Sequence, residues 1–131
     1  MSASGRIMVI DDSELVLSRV KARLSREGYD VVTLSNASGA GQHLLQCDLV
    51  LIDFHMPGIG GGGQVLTALR KAGQAVGAQP QYFLYTSDKT ASRAHRELGF
   101  DGALINKGDD ESLVQQLAAA LRFAKLRRMT R

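Results

Sequence analysis

The apolar positions of this chain switch repeatedly between two spacings. Arg6-Ile7-Met8-Val9-Ile10 is a short apolar run that stops at Asp11-Asp12, as a buried strand does. Ser13 then caps a predicted helix to about Glu27, with Val16, Val20 and Leu24 at i, i+4 and i+8 and Gly28 closing it. Val31-Val32-Thr33-Leu34 reads as a second strand, and Ala37 to Leu45 as a short helix weakened by Gly39 and Gly41. The third strand, Asp48 to Ile52, is apolar enough for burial on both faces; it ends at Asp53, before a turn at Met56-Pro57-Gly58. Gly60 to Gly63, consecutive glycines, form the most flexible stretch of the sequence. A helix with Val65, Leu66 and Leu69 follows, then a loop ending at Pro80. Tyr82 to Tyr85 is a fourth strand, and Asp88 caps a helix carrying Ala91, Ala94 and Leu98. Gly102 to Ile105 is the fifth strand. Asp109, Asp110 and Glu111 occupy the first turn of a last helix, whose buried stripe is Leu113, Leu117, Leu121 and Ala124.

Five strands, each followed by a helix, predict a parallel sheet covered on both faces, with short right-handed connections. At 131 residues, with 44% hydrophobic and 22% charged residues, the expectation is one globular domain over 1–131, its core spanning about 6–124. No internal repeat or interdomain linker interrupts it. Cys47 is alone, which excludes an intrachain disulfide and a multi-cysteine metal site and suits a reducing cytoplasm. The longest clear apolar run, Leu49 to Ile52, is far short of the roughly 20 residues of a membrane span. Met1 to Gly5 lacks the apolar core of a signal peptide, so the chain is expected to be soluble and unexported.

The net charge of +3 is unevenly spread: Arg122, Lys125, Arg127, Arg128 and Arg131 crowd the stretch 122–131. Such an end suits nucleic acid, anionic lipid or an acidic partner. The plainer account is that cations at a helix C-terminus offset its dipole. No helix-turn-helix or other recognisable nucleic-acid-binding module is present.

Ligands of open α/β sheets bind outside the carboxyl ends of the strands. Here those ends carry Asp11-Asp12, Asp53, Thr86-Ser87 and Lys107. Each has a structural excuse as helix acid, turn residue, cap or solvated lysine. Together they set three carboxylates, a hydroxyl and an ammonium in one place. Clustered carboxylates suit a hard divalent cation, and a cation, a lysine and a hydroxyl suit a phosphoryl group.

These residues resemble the receiver domains of two-component response regulators over essentially the whole chain, from Ile7 to about Phe123. The motifs are the acidic pair after Ile10, the segment Leu51-Ile52-Asp53-Phe54-His55-Met56-Pro57-Gly58, Thr86-Ser87, and Lys107. The resemblance implies a flavodoxin-like (βα)5 fold, a doubly wound five-stranded parallel sheet in the order 2-1-3-4-5. It implies that Asp53 accepts a phosphoryl group from a histidine kinase or phosphotransfer protein. Mg²⁺ (or Mn²⁺) would be held by Asp12, Asp53 and the backbone carbonyl of His55, with Asp11 acting mainly through a metal-bound water. Lys107 and Thr86 would bind phosphoryl oxygens. Apart from assisted self-phosphorylation and self-dephosphorylation, no enzyme activity is implied. Signalling would run through contacts with a downstream protein, and dimerisation is compatible with it.

Three features depart from the family's commonest pattern, one of them the Gly60–Gly63 run in the loop after Asp53. Gly108 stands where a proline usually follows the lysine, and Leu104 where an aromatic usually rotates on activation. Tyr85 offers either a substitute moving aromatic or a packed core residue. The Gly60–Gly63 run reads as an element that orders on binding or as surface slack. The His55 side chain reads as a group within reach of the reaction site or as an idle solvent-facing imidazole; His43 and His95 are expected on helix surfaces. The competing readings are a phosphorylation-independent interaction module of the same fold, or a fragment of a larger regulator. A metallohydrolase built on Asp53-Phe54-His55 lacks further ligands, and a dinucleotide enzyme lacks a glycine-rich turn after the first strand.

Overall fold

Period-two alternation in the apolar runs places each strand's side chains on both faces of one sheet. The computed structural model describes residues 5–56 and 61–129, the side chains of 127–129 excepted. The elements alternate in chain order: β1 (Arg6–Ile10), α1 (Glu14–Arg26), β2 (Asp30–Leu34), α2 (Gly41–Leu44), β3 (Leu49–Ile52), α3 (Gly61–Val76), β4 (Gln81–Tyr85), α4 (Lys89–Arg93), β5 (Gly102–Leu104) and α5 (Asp110–Met129). The sheet order is β2-β1-β3-β4-β5, all pairs parallel, which is the flavodoxin-like order that the family resemblance implies.

Ile7 and Val9 of β1, with Leu49 and Leu51 of β3, face α1 and α5 and join Leu17, Val20, Leu24, Leu113, Leu117 and Leu121. Met8, Ile10, Val50 and Ile52 face the other way, onto Leu44, Val65, Leu66 and Leu69 of α2 and α3. All four residues of β3 are fully buried, as expected of a central parallel strand. The sheet therefore has an apolar core on each face, and only its strand ends are free for polar chemistry.

Several local expectations are corrected. Val16 is half-buried, and Leu17 takes the core position beside Val20 and Leu24. The second helix is only four residues, Gly41–Leu44, not Ala37 to Leu45, because Gly39 lies at φ +76° and breaks the helical path. The fourth stops at Arg93. His95 Nδ1 donates to the Ser92 carbonyl at 2.8 Å, the acceptor that a further turn would use. Leu98 is accordingly exposed rather than part of a buried stripe, and His95 sits in a turn, half-buried like His43. Ile105 lies outside β5 and is exposed.

Part of the glycine run is helix rather than slack. Gly61, Gly62 and Gly63 open α3, with the Gly61 N–H on the Met56 carbonyl at 3.0 Å and the Gly62 N–H on the Phe54 carbonyl at 2.8 Å. Pro57, Gly58 and Gly60, and with them the body of the expected turn, lie outside the described residues. Gly62 is buried: a Cβ there would meet the Asp53 carbonyl oxygen at 2.7 Å and Phe54 Cα at 2.8 Å. The missing side chain lets the start of α3 lie directly against the backbone that carries Asp53.

Candidate functional site

β1 and β3 pair in register, Ile10 beside Ile52, so the residues that leave them emerge side by side. The Asp53 N–H donates to the Ile10 carbonyl at 3.1 Å, which carries the ladder one residue past the strand. Asp11 and Asp53 are buried there and Asp12 is exposed. Oxygens of the three carboxylates lie within 4.8 Å of one another. Lys107, from the loop after β5, reaches into this cluster. Its Nζ is 2.6 Å from Asp11 Oδ2 and 3.2 Å from Asp53 Oδ2. The other Asp11 oxygen accepts the Ser13 N–H at 2.9 Å, and Ser13 in turn caps α1 through Val16. Asp11 is thus held at both oxygens, while among the described residues the Asp53 carboxylate shares only the lysine. Three carboxylates against one ammonium leave negative charge in a partly buried place. An all-oxygen donor set of this kind fits Mg²⁺ or Mn²⁺.

The end of β4 supplies the hydroxyl. Thr86 is buried, and its Oγ1 accepts the Asp88 N–H at 3.2 Å, which leaves the hydroxyl proton to donate. Thr86, Ser87 and Lys107 line one groove of about 460 Å³, with Lys89 and Arg93 on its rim. The sequence-predicted residues Asp11, Asp12, Asp53 and Lys107 meet in one cluster, and Thr86 lines a groove together with Lys107.

The sequence did not reveal the His55–Asp88 pair. Asp88 is the expected cap of α4, its Oδ1 accepting the Ala91 N–H at 3.0 Å. Its Oδ2 also lies 2.6 Å from His55 Nε2. The Ala91 N–H, and after it His55, hold the Asp88 carboxyl below the usual carboxylate range. His55 is exposed yet engaged, and its imidazole is absent from the cluster of candidate metal ligands among the described residues. Nothing in the sequence signals the pair, since 33 positions separate its members.

Behind the site, Tyr85 and Leu104 are register partners on β4 and β5, and both are buried. Tyr85 is a packed residue, its ring centroid 5.9 Å from Lys107 Nζ. Burial pushes its phenol pKa up, and the nearby Gly108 N–H draws it back a little. That contact falls short of a hydrogen bond, and the hydroxyl has no partner among the described residues. Asn106 at φ +60° and Gly108 at φ +105° turn the loop that carries Lys107. Proline is confined near φ −65°, so this loop has a course of its own that a proline at 108 could not follow.

The chain matches the response regulator receiver domain family over residues 7–118. It is 29% identical over 120 residues to protein PilH of Pseudomonas aeruginosa, covering 88% of this chain and 97% of that one. It is also 35% identical over 65 residues, 44% of this chain, to the transcriptional regulatory protein AruR of the same species, of which it spans 27%. Among solved structures, a receiver domain protein from Clostridium thermocellum superposes with a TM-score of 0.74 at 21% identity, covering 96% of this chain and 98% of that one. A CheY-like receiver domain from Methanospirillum hungatei JF-1 gives 0.73 at 20%, covering 95% and 99%. With that match over residues 7–118, well over half of its length, the chain belongs to the response regulator receiver domain family.

Proposed function

We propose that Asp53 is the phosphoacceptor of a two-component phosphorelay, receiving its phosphoryl group from a histidine kinase or phosphotransfer protein. The observation that carries this reading is the position of Lys107 Nζ, 2.6 Å from Asp11 and 3.2 Å from Asp53 beside three clustered carboxylates. An Asp53 carboxylate oxygen attacks phosphorus, an O–P bond forms, and the N–P bond of the donor phosphohistidine breaks with its electron pair returning to the imidazole. Asp11, Asp12, Asp53 and the backbone carbonyl of His55 would hold Mg²⁺ or Mn²⁺, which supplies charge neutralisation on the phosphoryl oxygens. Lys107 gives up part of its contact with the carboxylates to pair with one phosphoryl oxygen, and the Thr86 hydroxyl donates to another.

On this reading residues 1–131 form one receiver domain that works in the cytoplasm, as a signalling module rather than an enzyme with a turnover substrate, and signals by protein–protein contact. Asp53→Asn tests it. With acetyl phosphate or a kinase and Mg²⁺, the natural chain is modified at Asp53 and the folded variant is not; equal labelling rates would sink the assignment. One observation favours the alternative of a phosphorylation-independent module of the same fold: Leu104 is buried where the family's commonest pattern has a mobile aromatic. The same labelling experiment separates the two.

A further inference from the structure

Among the described side chains the buried stripe of α5 ends at Ala124, yet the helix continues to Met129. Around that end two large apolar side chains face water: Phe123 is 61% exposed and Leu126 59%. At 100° per residue Leu126 points almost directly away from the core, with Arg122 and Phe123 on either side of it. Arg122 and Lys125 are exposed and make no ion pair or hydrogen bond among the described residues. Arg19 and Arg23 of the neighbouring α1 are instead engaged with Asp110 and Glu111 at the other end of α5. The sequence carries no Asp or Glu after Glu111, while Arg127, Arg128 and Arg131 add to the positive charge.

Compensation of the helix dipole accounts for cations in the last turn, but it gives no reason for Phe123 and Leu126 to lie exposed among them. A second copy docking through this face would bring like charges together. A nucleic acid would take the cations and leave the phenyl and isobutyl groups in water. The outer face of a single helix is convex, and a deformable anionic interface accepts it without a matching groove. There the cations meet headgroups and the apolar side chains pass beneath them.

We infer that the C-terminal end of α5 is a docking surface for anionic phospholipid. Its orientation is compatible with the site. Leu121 packs beside Gly5, ahead of β1, so this end of α5 lies at the edge of the sheet opposite Asp11 and Asp53. The acidic cluster then faces away from the negative surface and stays open to a donor.

Co-sedimentation of the full chain with vesicles tests this, comparing phosphatidylcholine alone with phosphatidylcholine containing phosphatidylglycerol. The expected result is at least about tenfold more bound protein on the anionic vesicles, falling as salt rises. The double variant Phe123→Ser, Leu126→Ser and the double variant Arg122→Gln, Lys125→Gln each lower binding roughly tenfold, with unchanged circular dichroism. Lys71→Gln with Arg96→Gln, removing two exposed cations from other parts of the surface, leaves it unchanged. The inference is overturned by no binding to anionic vesicles (as an acidic protein partner would give), by equal binding to both compositions, or by equal loss in the Lys71 and Arg96 variant.

Discussion

Gly62 and Gly63 are neighbours with the same propensity and opposite surroundings, so alanine at each should move stability in opposite directions. At Gly62 the new Cβ falls 2.7 Å from the Asp53 carbonyl oxygen and 2.8 Å from Phe54 Cα. Optimal carbon contacts lie near 3.5–4.0 Å, so the overlap is approximately 1 Å against backbone, with no flexible side chain to swing aside. Overpacking of this kind costs roughly 1–3 kcal/mol. Alanine returns up to about 1 kcal/mol of helix propensity, less in a first turn. The net is a loss of about 1–2 kcal/mol, or roughly 3–10 °C in Tm for a domain of this size. At Gly63 nothing lies within 4 Å of the added Cβ, so the gain survives, at about 0.5–1 kcal/mol. Thermal and urea unfolding followed by circular dichroism reads both. If Gly62→Ala melts at or above the natural chain, or Gly63→Ala falls as far as Gly62→Ala, the close-approach argument is wrong. Because the strain lands on the backbone of Asp53, Gly62→Ala should also slow labelling by acetyl phosphate, by about tenfold or more.

Three further outcomes follow from single features. Burial pushes the Cys47 thiol up to about 11 from an ordinary 9.0, so the folded state holds its proton longer than the unfolded chain. That contribution is intact below pH 9 and is lost as pH rises toward 11, so alkaline titration should destabilise the natural chain more than Cys47→Ala, and iodoacetamide at neutral pH should label Cys47 only on unfolding. Mg²⁺ at ten times its dissociation constant should add about 1.4 kcal/mol of stability, seen as a rise in Tm; Asp12→Asn, at an exposed position, should remove most of that rise without changing the melt in chelator. Ser13→Ala loses the 3.3 Å cap on Val16 and should cost about 1 kcal/mol in urea unfolding.

Both apolar cores were legible because they rest on local pattern: Ile7 to Ile10, Leu49 to Ile52 and Tyr82 to Tyr85 declare themselves as strands, and Leu113, Leu117 and Leu121 as a helix stripe, whereas the sheet order came from the family resemblance. Asp11, Asp53 and Lys107 were also legible, since any residue just past a parallel strand is delivered to the same edge. What escaped depends on distant atoms. Gly62 reads as slack until the Asp53–Phe54 backbone is placed against it. His55 and Asp88 each read as local residues until β3 and β4 bring their loops together. The end of α4 turns on one imidazole taking the Ser92 carbonyl, a competition that helix propensity does not describe.

The packing of Tyr85 has an optical consequence. The chain contains no tryptophan and three tyrosines, so its near-ultraviolet spectrum is a tyrosine spectrum. Tyr82 sits under Arg70, which is bonded to the Gly99 carbonyl and paired with Asp101, whereas Tyr85 sits 5.9 Å from Lys107 Nζ, the cation that the proposed phosphoryl group would draw away. Its hydroxyl has no bonded partner among the described residues to mask a change in the local field. The difference spectrum between the natural chain and Tyr85→Phe therefore isolates one chromophore that reports where the lysine is, without any label attached to the protein.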